Sequence, residues 1–249
     1  MTITSRSNRQ IKEIYSLKDK KARRESGSYI VEGFKMIREA RLFGKRIEKI
    51  VGTEEGLLEL GETGAETVVV SESVYKYLSD EVTPQGALAV VKKEMPSAAP
   101  PKGNCVLLDG IKDPGNMGTI IRTCAAAGVE DVYLVDCCDP YSPKAVRASM
   151  SGIFRVSLYE LTREDALKTL KDTPLIVADM AGKDVFSFFP PEKYCLVIGS
   201  EAHGISDEVK KAAAFSVAVP MENGIESLNA GVSLAIILYQ FKNKSQKGA

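Results

Sequence analysis

Histidine and cysteine, the side chains that most often build metal centres, are scarce in this sequence. His203 is the only histidine. The five cysteines, Cys105, Cys124, Cys137, Cys138 and Cys195, are odd in number, two are adjacent, and no Cys-x-x-Cys pair occurs. This pattern argues against a structural zinc site and against a disulfide framework. The thiols read as buried and reduced, and no metal is expected. Long apolar runs are also missing. The longest, such as residues 234–238, fall far short of the roughly 20 residues that span a bilayer. No charged start leads into an apolar stretch, so no secretory signal is expected and the chain reads as cytoplasmic, without a membrane partner.

Net charge is absent overall, with 33 basic and 33 acidic residues in 249. The balance hides an asymmetry. Residues 1–50 carry 14 basic against 6 acidic side chains, whereas residues 51–100 carry 3 against 9. A basic end of this kind suits a polyanion, and it equally suits a solvated helix face. The hydrophobic fraction of 44% is ordinary for a globular chain and suffices for a buried core.

A proline-rich stretch around residues 96–103 reads as a linker between a first domain, residues 1–95, and a second, residues 104–249. The first domain reads as a small α/β module. It has helical spacing at Ile11, Ile14 and Tyr15, a helix over 32–43, and short β-type runs at 29–31, 47–51, 67–70 and 87–91. In the second, apolar runs at 105–108, 132–135, 175–178, 195–198 and 217–219 alternate with helical patterns at 118–127, 143–150, 163–170 and 229–241. This is the signature of an α/β fold with a parallel sheet covered on both faces. Ligands gather at the carboxyl ends of such strands, which directs attention to the loops after 108, 198 and 219.

The first loop, Asp109-Gly-Ile-Lys-Asp-Pro-Gly-Asn-Met-Gly118, lacks two common fingerprints. A Walker loop needs Lys-Ser/Thr after Gly115, where Asn116-Met117 stand, and no Gly-x-Gly-x-x-Gly spacing occurs. An NTPase and a nucleotide-dependent oxidoreductase are therefore disfavoured. Asn116 has a plain reading as a helix cap, and Arg122 as a surface charge. In the second loop, Gly199-Ser-Glu-Ala-His-Gly204, paired glycines permit close backbone approach to a ligand, and Glu201 sits where ligands bind. His203 has no nucleophile partner in view and reads as a turn residue. The third, Val219-Pro-Met-Glu-Asn-Gly-Ile-Glu-Ser-Leu-Asn229, opens an apolar helix that Ser227 can cap.

Taken in order, the three loops resemble the SpoU (TrmH-type) RNA ribose 2′-O-methyltransferases of the SPOUT superfamily. Asn116, Gly118 and Arg122 match the family's Asn-x-Gly-x-x-x-Arg. GSEAHG resembles its Gly-Asn-Glu-Gly-x-Gly, and PMENGIESLN its Pro-Met…Ser-Leu-Asn. The segment SPKAVRAS at 142–149 is also typical, and the basic opening resembles the family's RNA substrate-binding extension. Ser200 and Ala202 depart from the usual Asn and Gly.

The resemblance implies a carboxyl-terminal trefoil knot, a homodimer with its active site near the subunit interface, and S-adenosylmethionine as cofactor. Gly199, Ser200, Glu201, Gly204, Val219, Pro220, Met221 and Leu228 would hold that cofactor, with the loop around Met180 as a weaker candidate. Arg122, Asn116, Glu201, Ser227 and Asn229 would be the catalytic group. Arg6, Arg9, Lys12, Lys18, Lys20, Lys21, Arg23 and Arg24 would meet RNA phosphates. The expected reaction is methyl transfer to a ribose 2′-hydroxyl of ribosomal RNA. A transfer RNA target and a non-catalytic RNA-binding protein with a relic pocket are the alternatives.

Overall fold

The computed structural model describes residues 1–94 and 96–247 and divides into two compact units. Met95, at the edge of the expected linker, lies outside the described residues.

The first unit comprises Met1–Lys93 together with Asp139–Phe154. It contains α1 (Arg9–Ser16), α2 (Lys20–Ser26), β1 (Ser28–Glu32), α3 (Phe34–Leu42), β2 (Ile47–Gly52), α4 (Glu54–Leu60), β3 (Glu66–Val69), α5 (Glu72–Leu78) and β4 (Ala87–Lys92). The four strands form a mixed sheet in the order β1-β4-β2-β3, in which only β2 and β3 run parallel. Side-chain caps start most of its helices. Asn8 accepts from the backbone of Gln10, Asp19 from Lys21, Thr53 from Gly56 and Ser71 from Val74. Each cap satisfies an amide that the first helical turn leaves unpaired. Ile11, Ile14 and Leu17 bury against Val51, Val68, Val74, Tyr75, Leu78 and Leu88.

The second unit comprises Glu94–Cys138 and Arg155–Ala249. It contains β5 (Cys105–Asp109), α6 (Pro114–Ala127) and β6 (Asp131–Val135). The next helix, α7 (Pro143–Ser149), and a 3-10 turn at Met150–Phe154 belong to the first unit, where α7 packs on β1 and the turn on α3. This segment was expected with the second domain. The chain then returns through β7 (Ser157–Leu161), α8 (Arg163–Thr169), β8 (Leu175–Asp184), β9 (Cys195–Gly199), α9 (Asp207–Ala212), β10 (Phe215–Ala218) and α10 (Ala230–Lys247). The six strands form a parallel sheet in the order β10-β8-β9-β5-β6-β7. Every residue of β5 and β6 is buried, as strands covered on both faces require. Strand order reverses between β5 and β9.

The expected linker is less free than its prolines suggest. Tyr133 donates its hydroxyl to the Ala99 carbonyl at 2.7 Å, and Lys193 donates to the carbonyl of buried Pro101 at 2.7 Å. The Lys102 amide donates to Asp131 at 3.0 Å. Residues 99–102 are thus fastened to the second unit. All five cysteines are free, and Cys105, Cys124 and Cys195 are buried. Burial pushes the Cys124 thiol up to about 12, so it stays protonated and unreactive.

Arg23 is the clearest departure from the expected basic face. It is 3% exposed and donates to Asp139 through Nε at 2.7 Å and to the carbonyls of Leu17 and Lys18. A buried guanidinium so engaged joins α2 to the 139–154 segment and cannot meet a phosphate. Arg23→Ala leaves Asp139 with Lys93, 3.9 Å away, as its remaining cation and leaves the Leu17 and Lys18 carbonyls without their donor, so it is expected to lower unfolding stability by about 3 kcal/mol. Urea titration measures this.

Candidate active site

A cavity of about 380 Å³ lies at the carboxyl ends of β8, β9 and β10 in the second unit. Gly199, Ser200, Glu201, Gly204, Val219, Met221, Ser227 and Leu228 line it, and so does Met180. Pro220, Asn116, Arg122 and Asn229 are not in its wall.

The loop after β9 is a closed turn. Ser200 and Gly204 exchange backbone hydrogen bonds at 3.1 and 2.8 Å, and the Ser200 hydroxyl accepts from the His203 amide at 3.1 Å. That bond gives Ser200 a local task which an Asn side chain could also perform. A Cβ on Gly199 would lie 2.3 Å from the carbonyl carbon of Gly204, so no larger residue fits without displacing backbone. Gly204 has φ +65°, a conformation that glycine adopts without strain. His203 is exposed at the tip of the turn.

Asn116 links the three loops. Its helix, α6, begins at Pro114 with Asp113 as the cap, so Asn116 is free of the capping task. Its Nδ2 donates to Glu201, and its Oδ1 accepts from Asn229 Nδ2 at 2.7 Å. Asn229 in turn accepts through Oδ1 from the amides of Gly231 and Val232 at 3.0 and 3.4 Å. Asn229, and not Ser227, therefore caps α10, which leaves Ser227 on the cavity wall. Close packing of α10 on α6 assists, since a Cβ on Gly231 would come within 3.0 Å of Thr119.

Arg122 is elsewhere. It is exposed, and among the described residues it makes no hydrogen bond or ion pair. Helix geometry explains the separation: six residues at about 100° each leave the side chains of Asn116 and Arg122 about 120° apart around α6.

Two features were not anticipated from the sequence. Asp109, 3% exposed at the end of β5, accepts from the Ser206 amide at 2.8 Å and its hydroxyl at 2.6 Å, and from Arg163 at 3.1 Å. It pins the exit of the 199–204 turn to the middle of the sheet. Asp179 and Lys210 form an ion pair at 2.7 Å on the cavity wall. The hydrogen bond from Lys210, then that from the Ala181 amide, holds the Asp179 carboxyl below the usual carboxylate range. With Glu201 and Glu226 also lining the cavity, three carboxylates face one ammonium. The cavity suits a ligand bearing positive charge.

The eight basic residues expected to meet RNA divide into four groups. Lys12, Lys20 and Arg24 are exposed and unpaired among the described residues. Arg9 and Lys21 are exposed and pair with Glu13 and Glu25 one helical turn away, contacts worth little in water. Lys18 is half-buried and bonded to Asp80 at 2.8 Å, and Arg6 lies over the ring of Tyr77. Arg23 is enclosed, as described above.

Gly199→Ala tests the closed turn. Overpacking against backbone is expected to cost about 1–3 kcal/mol, read as a lowered urea midpoint, while Ala202→Gly at the exposed tip leaves the midpoint within about 1 kcal/mol of wild type.

Comparison with known proteins agrees with this layout. Residues 103–239 match the SpoU rRNA methylase family, and residues 8–89 match an MRM3-like substrate-binding domain. The chain is 27% identical over 245 residues to a 23S rRNA (guanosine(2553)-2′-O)-methyltransferase of Bacillus subtilis, covering 96% of this chain and 98% of that protein. An AdoMet-bound rRNA methyltransferase from Sinorhizobium meliloti superposes with a TM-score of 0.90 at 26% identity, over 98% of this chain and 97% of that one. A TrmH-family structure from Porphyromonas gingivalis does so with a TM-score of 0.86 at 34% identity, over 96% of this chain and 98% of that one. The chain belongs to the SpoU rRNA methylase family, with a substrate-binding domain ahead of the methylase domain.

Proposed function

We propose that this protein transfers a methyl group from S-adenosylmethionine to a ribose 2′-hydroxyl of ribosomal RNA of the 23S type. The observation that carries this reading is the Glu201–Asn116–Asn229 connection beside a carboxylate-rich cavity. The cavity's chemistry fits the cofactor, whose sulfonium and ammonium groups are cationic. Gly199, Ser200, Gly204, Val219, Met221 and Leu228 would form its wall, and Pro220 would set the path of the backbone between Val219 and Met221.

S-adenosylmethionine supplies a methyl group already activated by its sulfonium. The protein's work is then on the acceptor, since a protonated ribose hydroxyl is a poor nucleophile. Glu201, fixed by Asn116, and Ser227 present acceptor and donor groups at the cavity rim, where a ribose can be oriented. Arg122 acts as a fork that holds a substrate phosphate and stabilises developing alkoxide charge. Arginine stays protonated and is a poor general base.

The reading includes the knotted carboxyl-terminal chain path and the homodimer. Support for the dimer comes from α10, which exposes Val232 at 45% and Tyr239 at 48% while packing on the helix that carries Arg122. A second copy on this face would bring Arg122 to a neighbouring cavity. Among the described residues no helix is long and apolar enough to cross a membrane. A cytoplasmic enzyme acting on ribosomal RNA accords with that.

Calorimetry with S-adenosylhomocysteine should show saturable binding, and its absence would leave an RNA-binding protein with a relic pocket. Arg122→Ala is expected to lower turnover on ribosomal RNA about 10²–10³-fold while S-adenosylhomocysteine affinity is retained. Mapping 2′-O-methyl groups in a deletion strain and its parent separates ribosomal from transfer RNA. Changing Lys12, Lys20, Lys21 and Arg24 to Ala should weaken RNA binding and flatten its logarithmic salt slope by about 3–4.

A further inference from the structure

We propose that Arg6, Tyr15 and Tyr77 form a platform on which an unpaired RNA base stacks. The inference rests on the RNA-modifying function and assigns a contact surface to the first unit.

The rings of Tyr15 and Tyr77 stack with centroids 4.2 Å apart and planes within 7°. Arg6 Cζ lies 5.1 Å from the Tyr77 centroid, and Lys18 Nζ lies 5.0 Å from that of Tyr15. The four side chains make one column, cation–ring–ring–cation. Its Lys18 end is closed, because Asp80 and the Ser79 carbonyl hold that ammonium at 2.8 and 3.3 Å. Its Arg6 end is open: the guanidinium is exposed and, apart from the Tyr77 ring, its one hydrogen bond among the described residues is to the Ser73 carbonyl, at 3.4 Å.

The stack joins α1 to α5, and Tyr77 also packs against the core, but that packing leaves the cationic ends of the column unexplained. Ile11, Ile14 and Leu17 already anchor the helix in the core, and Tyr15 is 38% exposed. Neither tyrosine hydroxyl has a hydrogen-bond partner among the described residues. What the column offers is an exposed guanidinium at the end of an aromatic support. Nucleobases stack on such guanidinium planes and aromatic rings. Exposed Arg9 and Lys12 on the same helix supply charge for the attached phosphates. A duplex keeps its base faces stacked internally, so the ligand is a single-stranded or looped segment.

The test measures anisotropy of a fluorescein-labelled single-stranded oligouridylate, and of a short RNA duplex, with the full-length protein. The Tyr15→Leu, Tyr77→Leu pair is expected to lose affinity for the single strand by about tenfold with an unchanged salt slope, and to bind the duplex as wild type does. The matching Phe pair, which keeps both rings, should retain wild-type affinity. Should the Leu pair fail to fold, Arg6→Lys carries the test: it keeps the charge, removes the plane, and should weaken single-strand binding alone. Wild-type affinity of the Leu pair, or of Arg6→Lys, for the single strand overturns the platform, as does an equal loss on the duplex. Methyl transfer by the wild type with the variants binding normally overturns the platform alone, whereas absence of methyl transfer overturns the reading on which it rests.

Discussion

An amide side chain can donate and accept at once, and the second unit depends on that property at Asn116. Glu201 can only accept when ionised, and the amides opening α10 can only donate. Between them Asn116 and Asn229 pass hydrogen bonds in one direction, from the helix to the carboxylate. An Asp at 116 could not donate to Glu201 and would set like charges side by side. Loops 85 and 113 residues from Asn116 in sequence are thereby joined, and the three loops take one arrangement. Asp109 does the same below the cavity, since Ser206 and Arg163 both bind its buried carboxylate.

The charge asymmetry of the sequence acquires two meanings once the side chains are placed. The cavity wall is acidic, with Asp179, Glu201 and Glu226 against Lys210. The excess of basic residues near the amino terminus is not a single surface. Arg23 serves the interior, Lys18 closes an aromatic column, and Lys12, Lys20 and Arg24 remain available to solvent or a polyanion. Counting charge along the chain overstates the cations a phosphate backbone can reach, because an inward-turned arginine contributes nothing to counterion release.

The parallel sheet was legible because β5, β6 and β9 are apolar at almost every position, as strands buried on both faces must be. β7 escaped notice: Ser157, Glu160 and Leu161 leave it partly exposed at the sheet edge, with a weaker apolar pattern. Helices α2, α4 and α5 went unread although α7 and α8, of the same seven residues, were expected. Their caps, Asp19, Thr53 and Ser71, were the available signal. The three loops were recognisable as local strings. The partnership of Asp109 with Ser206, of Asp179 with Lys210, and of Arg23 with Asp139 was not, because each joins distant residues whose types are common. The same blindness offered Ser227 as a cap of α10, since spacing alone does not choose between two capping residues two positions apart.

Arg122 shows that the residues of one local motif need not face one cavity. Asn116 and Arg122 belong to one motif on one helix, yet they leave it about 120° apart. A helix packed tightly on α10, with Gly231 against Thr119, has no freedom to rotate both toward one cavity. In this placement Asn116 serves its own chain's loops and Arg122 faces away. Within the proposed homodimer the division becomes purposeful: each helix fixes the cofactor loops of its own protomer and offers its guanidinium to the neighbouring cavity. The exposed apolar residues of α10 beside it would then gain burial and catalytic geometry from the same contact, so that assembly and activity depend on one face.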